Sequence, residues 1–435
     1  MIMGTPAPAP VPVPTFPDGG LYTWSQSNDQ VVIAFPVSRD LTSSMVKITF
    51  SDKALLCVIE GEPQPRVKGQ LFRPIKRNDS IWQLEKSQKN GNQLLTIHLE
   101  KAHEGVTWPM VVTAGLYSEL DMDPHSMYIL ASLTQGESEV SQNCLDLFTK
   151  AAELDSIPAQ LKLAAWYEIG QEESPSIPFR QDRERSLLWH TRAAQLGNSE
   201  ACYIVGTVHV QGTHGASKSY SAGLEWFNRC IVSDPFLADT QPNIFVAAAF
   251  QSGLLLMEGG NGLGDPDPAR AAGFWQKTSK MGHPQSAWNL GIFYLNGFGV
   301  EQDIREAVRL ITIAMSLDPN LALPPQLQSL QPSSLPTLVR VAEEAKATGI
   351  KPDLDSLVST VLAREIVASA GGQAGETAAL HSQPLTTAER KRATEQTQFW
   401  LSVATGVAAV AVGSFILFRY RQPIVSALGL GSKTN

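Results

Sequence analysis

From residue 124 onward one pattern of small and large side chains returns five times, and it constrains the fold more than any other feature of the chain. Small residues stand at Ser126, Ala159, Ala201, Ala248 and Ser286. Two positions later comes a large one, at Tyr128, Leu161, Tyr203, Phe250 and Trp288. Three further on another small one follows, at Ala131, Ala164, Gly206, Gly253 and Gly291. Beyond these, the last four units carry Gly170, Gly212, Gly259 and Gly297. A second stretch in each unit has its own signature. Cys144, Ser186, Gly223, Ala272 and Ala307 precede Leu147, Trp189, Trp226, Trp275 and Leu310, and Ala151, Ala193, Cys230, Ser279 and Ala314 come after those. Small residues let helices approach and one large knob fills each crossing, so the register predicts stacked helical hairpins over 124–320. The intervals of 33, 42, 47 and 38 residues between the first small positions place most of the variation in the loop inside each hairpin.

Ahead of the repeats, residues 21–115 change period. In Val46-Lys47-Ile48-Thr49-Phe50 the apolar residues share one face, and Leu95, Ile97 and Leu99 do the same around Thr96 and His98. Val31–Val37 and Leu55–Ile59 are denser apolar runs that fit strands covered on both sides. Gly61-Glu62-Pro63, Arg77-Asn78-Asp79 and Asn90-Gly91-Asn92 supply turns. Some seven short antiparallel strands in this space imply a compact β-sandwich.

The ends have different chemistry. Residues 1–20 form a proline-rich leader prone to polyproline II, with no basic n-region to make it a signal peptide. After the repeats, residues 321–398 read as a helical and flexible tether, with amphipathic stretches near 336–348 and 353–369. Residues 399–418, from Phe399 and Trp400 through Gly406 and Gly413 to Phe418, contain no charged side chain. As a helix this stretch would span roughly 30 Å, the thickness of a hydrocarbon core. It is expected to be a transmembrane helix, with Trp400 and Tyr420 in the interfacial belts and residues 419–435 as a short tail. That position is the circumstance of a tail-anchored protein facing the cytosol, on the endoplasmic reticulum or the mitochondrial outer membrane.

Composition excludes several classes of function. With 34 basic and 42 acidic residues the net charge is −8, which argues against a nucleic-acid partner. Cys57, Cys144, Cys202 and Cys230 lie far apart, the usage of buried thiols rather than a disulfide frame or a zinc site. There is no HExxH, GxSxG or P-loop lysine. His209 and His214 have no metal-ligand spacing and no expected carboxylate partner. The glycine run 259–264 has no strand before it and occupies a repeat turn. The expectation is a protein that is not an enzyme, with no catalytic residue, cofactor or metal.

Two resemblances sharpen this reading. Trp24 with Gln26, Val67-x-Gly69-x-Leu71, Pro74-Ile75, Asp79-Ser80-x-Trp82-x-Leu84-Glu85, His98-Leu99-Glu100-Lys101 and Trp108 follow the order of a NudC-family CS domain, an HSP20-like co-chaperone sandwich. The chain departs from that family at Lys68 and Gln70, where acidic residues usually flank the glycine. The resemblance implies binding of protein clients or of the ninety-kilodalton heat-shock chaperone. On that basis Trp24, Arg66, Lys68, Arg73, Lys76, Arg77 and Trp108 are the candidate partner-binding residues. Trp24 and Trp108 fit either the core or an exposed edge, and the basic run fits either an acidic partner or a solvated loop; Trp82 is expected in the core. In the last unit, Leu290-Gly291, Tyr294, Gly297-x-Gly299-Val300, Asp303 and Ala307 resemble the Sel-one-like repeat, a relative of the tetratricopeptide repeat. The earlier units look degenerate in the turn. The fold class expected is therefore multidomain: an all-β CS-type antiparallel sandwich, an all-α solenoid of helical hairpins and one transmembrane helix. The function expected is a membrane-tethered co-chaperone adaptor that holds a client or chaperone on the sandwich and a second protein on the repeats. The alternative is a scaffold subunit of a membrane-protein degradation or trafficking complex, acting through the repeats.

Overall fold

A computed structural model describes residues 21–86, 93–118, 121–135, 140–174, 176–233, 237–349 and 353–369. They fall into two compact units, one ending at Ser217 and the other beginning at Lys218.

The first unit opens with two four-stranded antiparallel sheets. One has the order β1 (Thr23–Gln26), β2 (Gln30–Val37), β7 (Gln93–Glu100), β6 (Ile81–Lys86). The other runs β3 (Val46–Ser51), β4 (Ala54–Ile59), β5 (Val67–Leu71), β8 (Val112–Ala114). In the β2–β7 pair, Val31, Ile33 and Phe35 stand opposite Leu99, Ile97 and Leu95, and all six side chains are buried. Across the core they face Leu55, Cys57 and Val67, so the period-two alternation seen in the sequence is the inside and outside of a sandwich. The dense runs are not covered on both sides: β2 and β4 alternate buried and half-buried residues along their length.

Eleven residues of helix follow as α1 (Pro124–Thr134), then α2 (Gln142–Glu153), α3 (Ile157–Glu173), α4 (Arg183–Gln195) and α5 (Ser199–Gln211). The sandwich core does not stop where the helices start. Met122, Met127, Phe148, Leu163, Trp166 and Trp189 belong to the same apolar cluster as Tyr22, Phe35 and Leu55.

The second unit contains α6 (Tyr220–Ser233), a short α7 (Leu237–Thr240), α8 (Pro242–Glu258), α9 (Pro268–Lys280), α10 (Pro284–Asn296) and α11 (Ile304–Leu317). Here the small-and-large register is explicit in atoms. A methyl group on Gly253 would lie 2.3 Å from the indole nitrogen of Trp275, and one on Gly291 would lie 2.7 Å from Ile311. Only glycine lets α9 and α11 come this close to their partners.

Three hairpins close by one rule whatever their loop length. The backbone N–H of Asp182, Asp267 and Asp303 donates to the carbonyl of Tyr167, Leu256 and Tyr294, at 2.8, 2.7 and 2.9 Å. Each aspartate then caps the following helix by accepting from the amide three residues on, at 3.0 Å in every case. Two of the turns that look degenerate in sequence therefore keep the aspartate cap. The signal was Asp182 and Asp267 themselves, displaced by loops of different length.

The segment after the last repeat is packed over much of its length. α12 (Leu335–Ala347) and α13 (Leu354–Ser369) join Leu323, Leu327 and Leu330 in a cluster with Ile304, Val308 and Ile311 of α11. Residues 323–349 and 353–361 thus pack against the final hairpin. Among the described residues no helix is long and apolar enough to cross a membrane. The leader 1–20 and the whole stretch 399–418, with Phe399, Trp400, Gly406, Gly413 and Phe418, lie outside the described residues.

Candidate partner-binding site

The residues that mark the sandwich by sequence turn out to build its interior. Gln26 at the end of β1 and Trp108 exchange two hydrogen bonds, Gln26 Nε2 to Trp108 O at 2.9 Å and Trp108 N to Gln26 Oε1 at 2.8 Å. The Lys101 ammonium enters the same knot and donates to Gln26 Oε1, Ser27 O and Val106 O at 3.1, 2.7 and 2.8 Å. Three oxygen acceptors satisfy its three donors, which is how a lysine 1% exposed can stay inside a sandwich. Trp108, also 1% exposed, is core and not a binding edge.

Arg66 is likewise withdrawn from the candidate surface. It is 1% exposed, and its guanidinium forms a two-pronged pair with Glu62 at 2.6 Å on both prongs. Trp24 pairs across the sheet with Ile33 and is half-buried against the core, and Trp82 is half-buried opposite Ile97. Its neighbour Ile81 turns outward on the edge strand and is 56% exposed.

Lys68 has a defined partner. Its ammonium pairs with Asp121, in the link to α1. Its backbone N–H donates at 2.8 Å to Asp123 Oδ2, and Asp123 N–H returns a bond of 3.1 Å to Lys68 O. Asp123 also caps α1 by accepting from Ser126 N at 2.8 Å. Next to it, Tyr22 and Ser126 share a 3.0 Å hydroxyl bond, and the His125 ring stands edge-on to Tyr22 with its Nε2 3.0 Å from Tyr22 O. Burial pushes the Asp123 carboxyl up to about 6, although the bonds from Ser126 and Lys68 pull it back. Burial and the Asp123 charge push the Tyr22 hydroxyl upward as well.

Arg73, Lys76 and Arg77 remain on the surface. Arg73 lies over the Phe72 ring, 5.5 Å from its centre, and Lys76 sits between Glu100 at 3.8 Å and Glu104 at 3.7 Å. Lys76 and Arg77 line an open concavity of ≈590 Å³ together with Asp52, Pro74, Asn78 and Asp79. Lys76 and Arg77 therefore face a surface of mixed charge, with Asp52 and Asp79 to offset them.

His214 does meet a carboxylate: its Nε2 lies 2.9 Å from Glu168 Oε2, across 46 residues of chain. Arg183 approaches the same carboxylate at 3.5 Å. Burial alone would raise the Glu168 carboxyl, but the His214 bond and the nearby His214 and Arg183 charges outweigh it and hold it low. His190, behind this cluster, is pushed down to about 4 by burial. Among the described residues no group of three or more His, Cys, Asp or Glu is placed to hold a metal ion. All four cysteines are buried and unbridged, and burial pushes the Cys57 thiol up to about 12.

Residues 21–101 match the CS domain, and residues 124–156, 157–198, 199–229, 246–283 and 284–318 match the Sel1 repeat. The chain therefore carries a CS domain followed by Sel1 repeats over 124–318. Over 114 residues, 26% of this chain, it is 25% identical to the ERAD-associated E3 ubiquitin-protein ligase component HRD3B of Arabidopsis thaliana, and the match spans 16% of that protein. Among solved structures, a Sel1 repeat protein from Oxalobacter formigenes is 20% identical with a TM-score of 0.35, covering 44% of this chain and 73% of that one. The protective antigen c5321 of uropathogenic Escherichia coli, which displays an SLR fold, is 18% identical with a TM-score of 0.28, covering 59% and 58%.

Proposed function

We propose that this protein is an adaptor of the chaperone system. Its CS domain engages protein clients or the ninety-kilodalton heat-shock chaperone, and its Sel1 repeats recruit a second protein. The observation that carries the proposal is the single apolar cluster running from Tyr22 and Phe35 of the sandwich to Trp166 and Trp189 of the helices. A domain that shares its core with the first hairpins holds its partner in a fixed place beside those hairpins. Two binding surfaces on one chain raise local concentration without covalent chemistry. The resemblance of the sandwich to a NudC-like CS domain supports client handling by that domain.

The proposal includes a membrane attachment through residues 399–418, supported by twenty uncharged residues and the flanking Arg419 and Arg421. Imaging a tagged chain with and without residues 399–435 tests it; equal, diffuse distributions of the two would refute attachment.

Partner choice is tested on the full chain by photo-crosslinking from Arg77 on the sandwich. The expected product contains a heat-shock chaperone or a non-native client, and recovery of neither overturns the chaperone reading. A second reading, a scaffold subunit of a membrane-protein degradation complex, is favoured by the stretch shared with HRD3B. It requires that crosslinks from the repeats reach ubiquitin-ligase or trafficking components instead.

A further inference from the structure

In α3, one cation sits where the repeat elsewhere keeps neutral side chains. The position three residues after the first small residue of each unit holds Ile129, Lys162, Ile204, Gln251 and Asn289. The Lys162 ammonium lies 5.3 Å from the centre of the Trp166 ring and 6.0 Å from that of Phe148. Both rings are buried beneath it, at 2% and 0% exposure, whereas Lys162 is half-buried and keeps a path to solvent. Burial lowers its pKa, and the titratable group that acts on it from the facing helix is the Cys144 thiol, itself raised by burial. No Asp or Glu among the described residues forms an ion pair with it.

This is an unusual balance for a lysine. Aromatic faces attract its charge but accept little from its three N–H donors, and no described residue accepts from them. Partial desolvation strengthens whatever anion reaches it, because the attraction is no longer screened by bulk water. A carboxylate supplies both the charge and the acceptor oxygens. The chain as a whole is acidic, at −8, so long-range steering would not bring an acidic partner here. Recognition has to be short-range and local.

We propose that Lys162, on its Trp166–Phe148 seat, is a docking point for an aspartate- or glutamate-rich peptide segment of the protein that the repeats recruit. This rests on the adaptor reading of the repeats and names the chemistry of their partner.

The test uses the full chain in mild detergent, with its lysines ¹³C-dimethylated so that each keeps its charge. The resonance absent from the K162R protein identifies Lys162. An acetylated, amidated tetra-aspartate peptide is expected to shift that resonance saturably, and a tetra-asparagine peptide is not. Affinity measured separately on unmethylated protein should fall about tenfold or more in K162M and be largely kept in K162R. K162M should melt no lower than the wild type, since a desolvated cation is replaced by an apolar chain of similar length. Absence of a shift at saturating peptide overturns the proposal, as does equal binding by K162M. If the repeats crosslink the same partner in K162M and wild type, this docking point fails while the adaptor reading stands. If neither protein captures a partner through the repeats, the adaptor reading fails, and the peptide titration alone then judges Lys162.

Discussion

The first and the last helical hairpin are covered in opposite ways. At the first hairpin the cover is a β-sandwich, joined through a seam in which Tyr22, Lys68, Asp121, Asp123, His125 and Ser126 hold one another by hydrogen bonds and charge. At the last hairpin the cover is α12 and α13, whose contact with α11 is built from leucine, isoleucine, valine and alanine. Among the described residues the charged pairs stand at its rim, Arg305 with Glu343, Arg364 with Glu344 at 2.7 Å and Arg340 with Glu344 at 3.9 Å. An apolar cover needs only to exclude water, and many packings can do that. A polar seam is satisfied in one geometry alone, because each buried donor must find its acceptor. The sandwich is thus fixed in position as well as attached, which is what an adaptor holding two partners requires.

The contrast can be broken most forcefully at the apolar end. Leu338 is fully buried in the cap, and Leu338→Ala should cost about 2–5 kcal/mol of stability, with no dependence on pH between 5 and 8. Denaturant melting of the variant at several pH values checks both parts.

At the polar end the expectation is a pH effect. Asp123 has its folded pKa raised to about 6 from an ordinary 3.8, so the folded state binds a proton more readily than the unfolded chain. Its contribution therefore becomes more favourable as pH falls through 6 towards 4, and is lost as pH rises through 6. Comparing wild type with D123N should show a relative gain for wild type on the order of 2 kcal/mol between pH 7 and 4.5. A difference that stays constant with pH would show that Asp123 is held ionised by its two backbone donors.

Glu168 should behave with the opposite sign. Its carboxyl is held low, so its stabilisation is present above the unfolded value and is lost as pH falls through the lowered folded one. Because the pair with His214 is partly open to solvent, E168Q should cost no more than about 1 kcal/mol at pH 7. The smallest effect belongs to the rim of the cap. Arg364→Ala should leave the melting midpoint unchanged within error, at low and at high salt, since its pair with Glu344 is exposed. A measurable loss there would mean that the apolar cover alone does not fix α13.

Much of the fold was legible in the residues. The buried zeros at Ala159, Ala201 and Ala248 are the positions at which the sequence repeats its small side chains, and β7 buries Leu95, Ile97 and Leu99 as their alternation requires. The candidate surface was far less legible. Of seven partner-binding candidates, Arg66 and Trp108 are interior, Trp24 is half-buried against the core, and Lys68 is committed to the seam. Arg73, Lys76 and Arg77 are left on the outside. A basic run in sequence carries no mark of which member points inward. Asp182 and Asp267 were missed as caps because loops of unequal length move them out of register with Asp303.

The sequence by itself determined the local elements and the faces they bury, since period and small-residue spacing act between residues a turn or two apart. Tertiary structure alone decided which charges enter the interior. Lys101 finds its acceptors near Gln26, Asp123 finds a donor at Lys68, and Glu168 finds His214, each tens of residues away along the chain. The free energy of a buried charge is set by the partners that surround it, and those partners are brought together only when the chain folds.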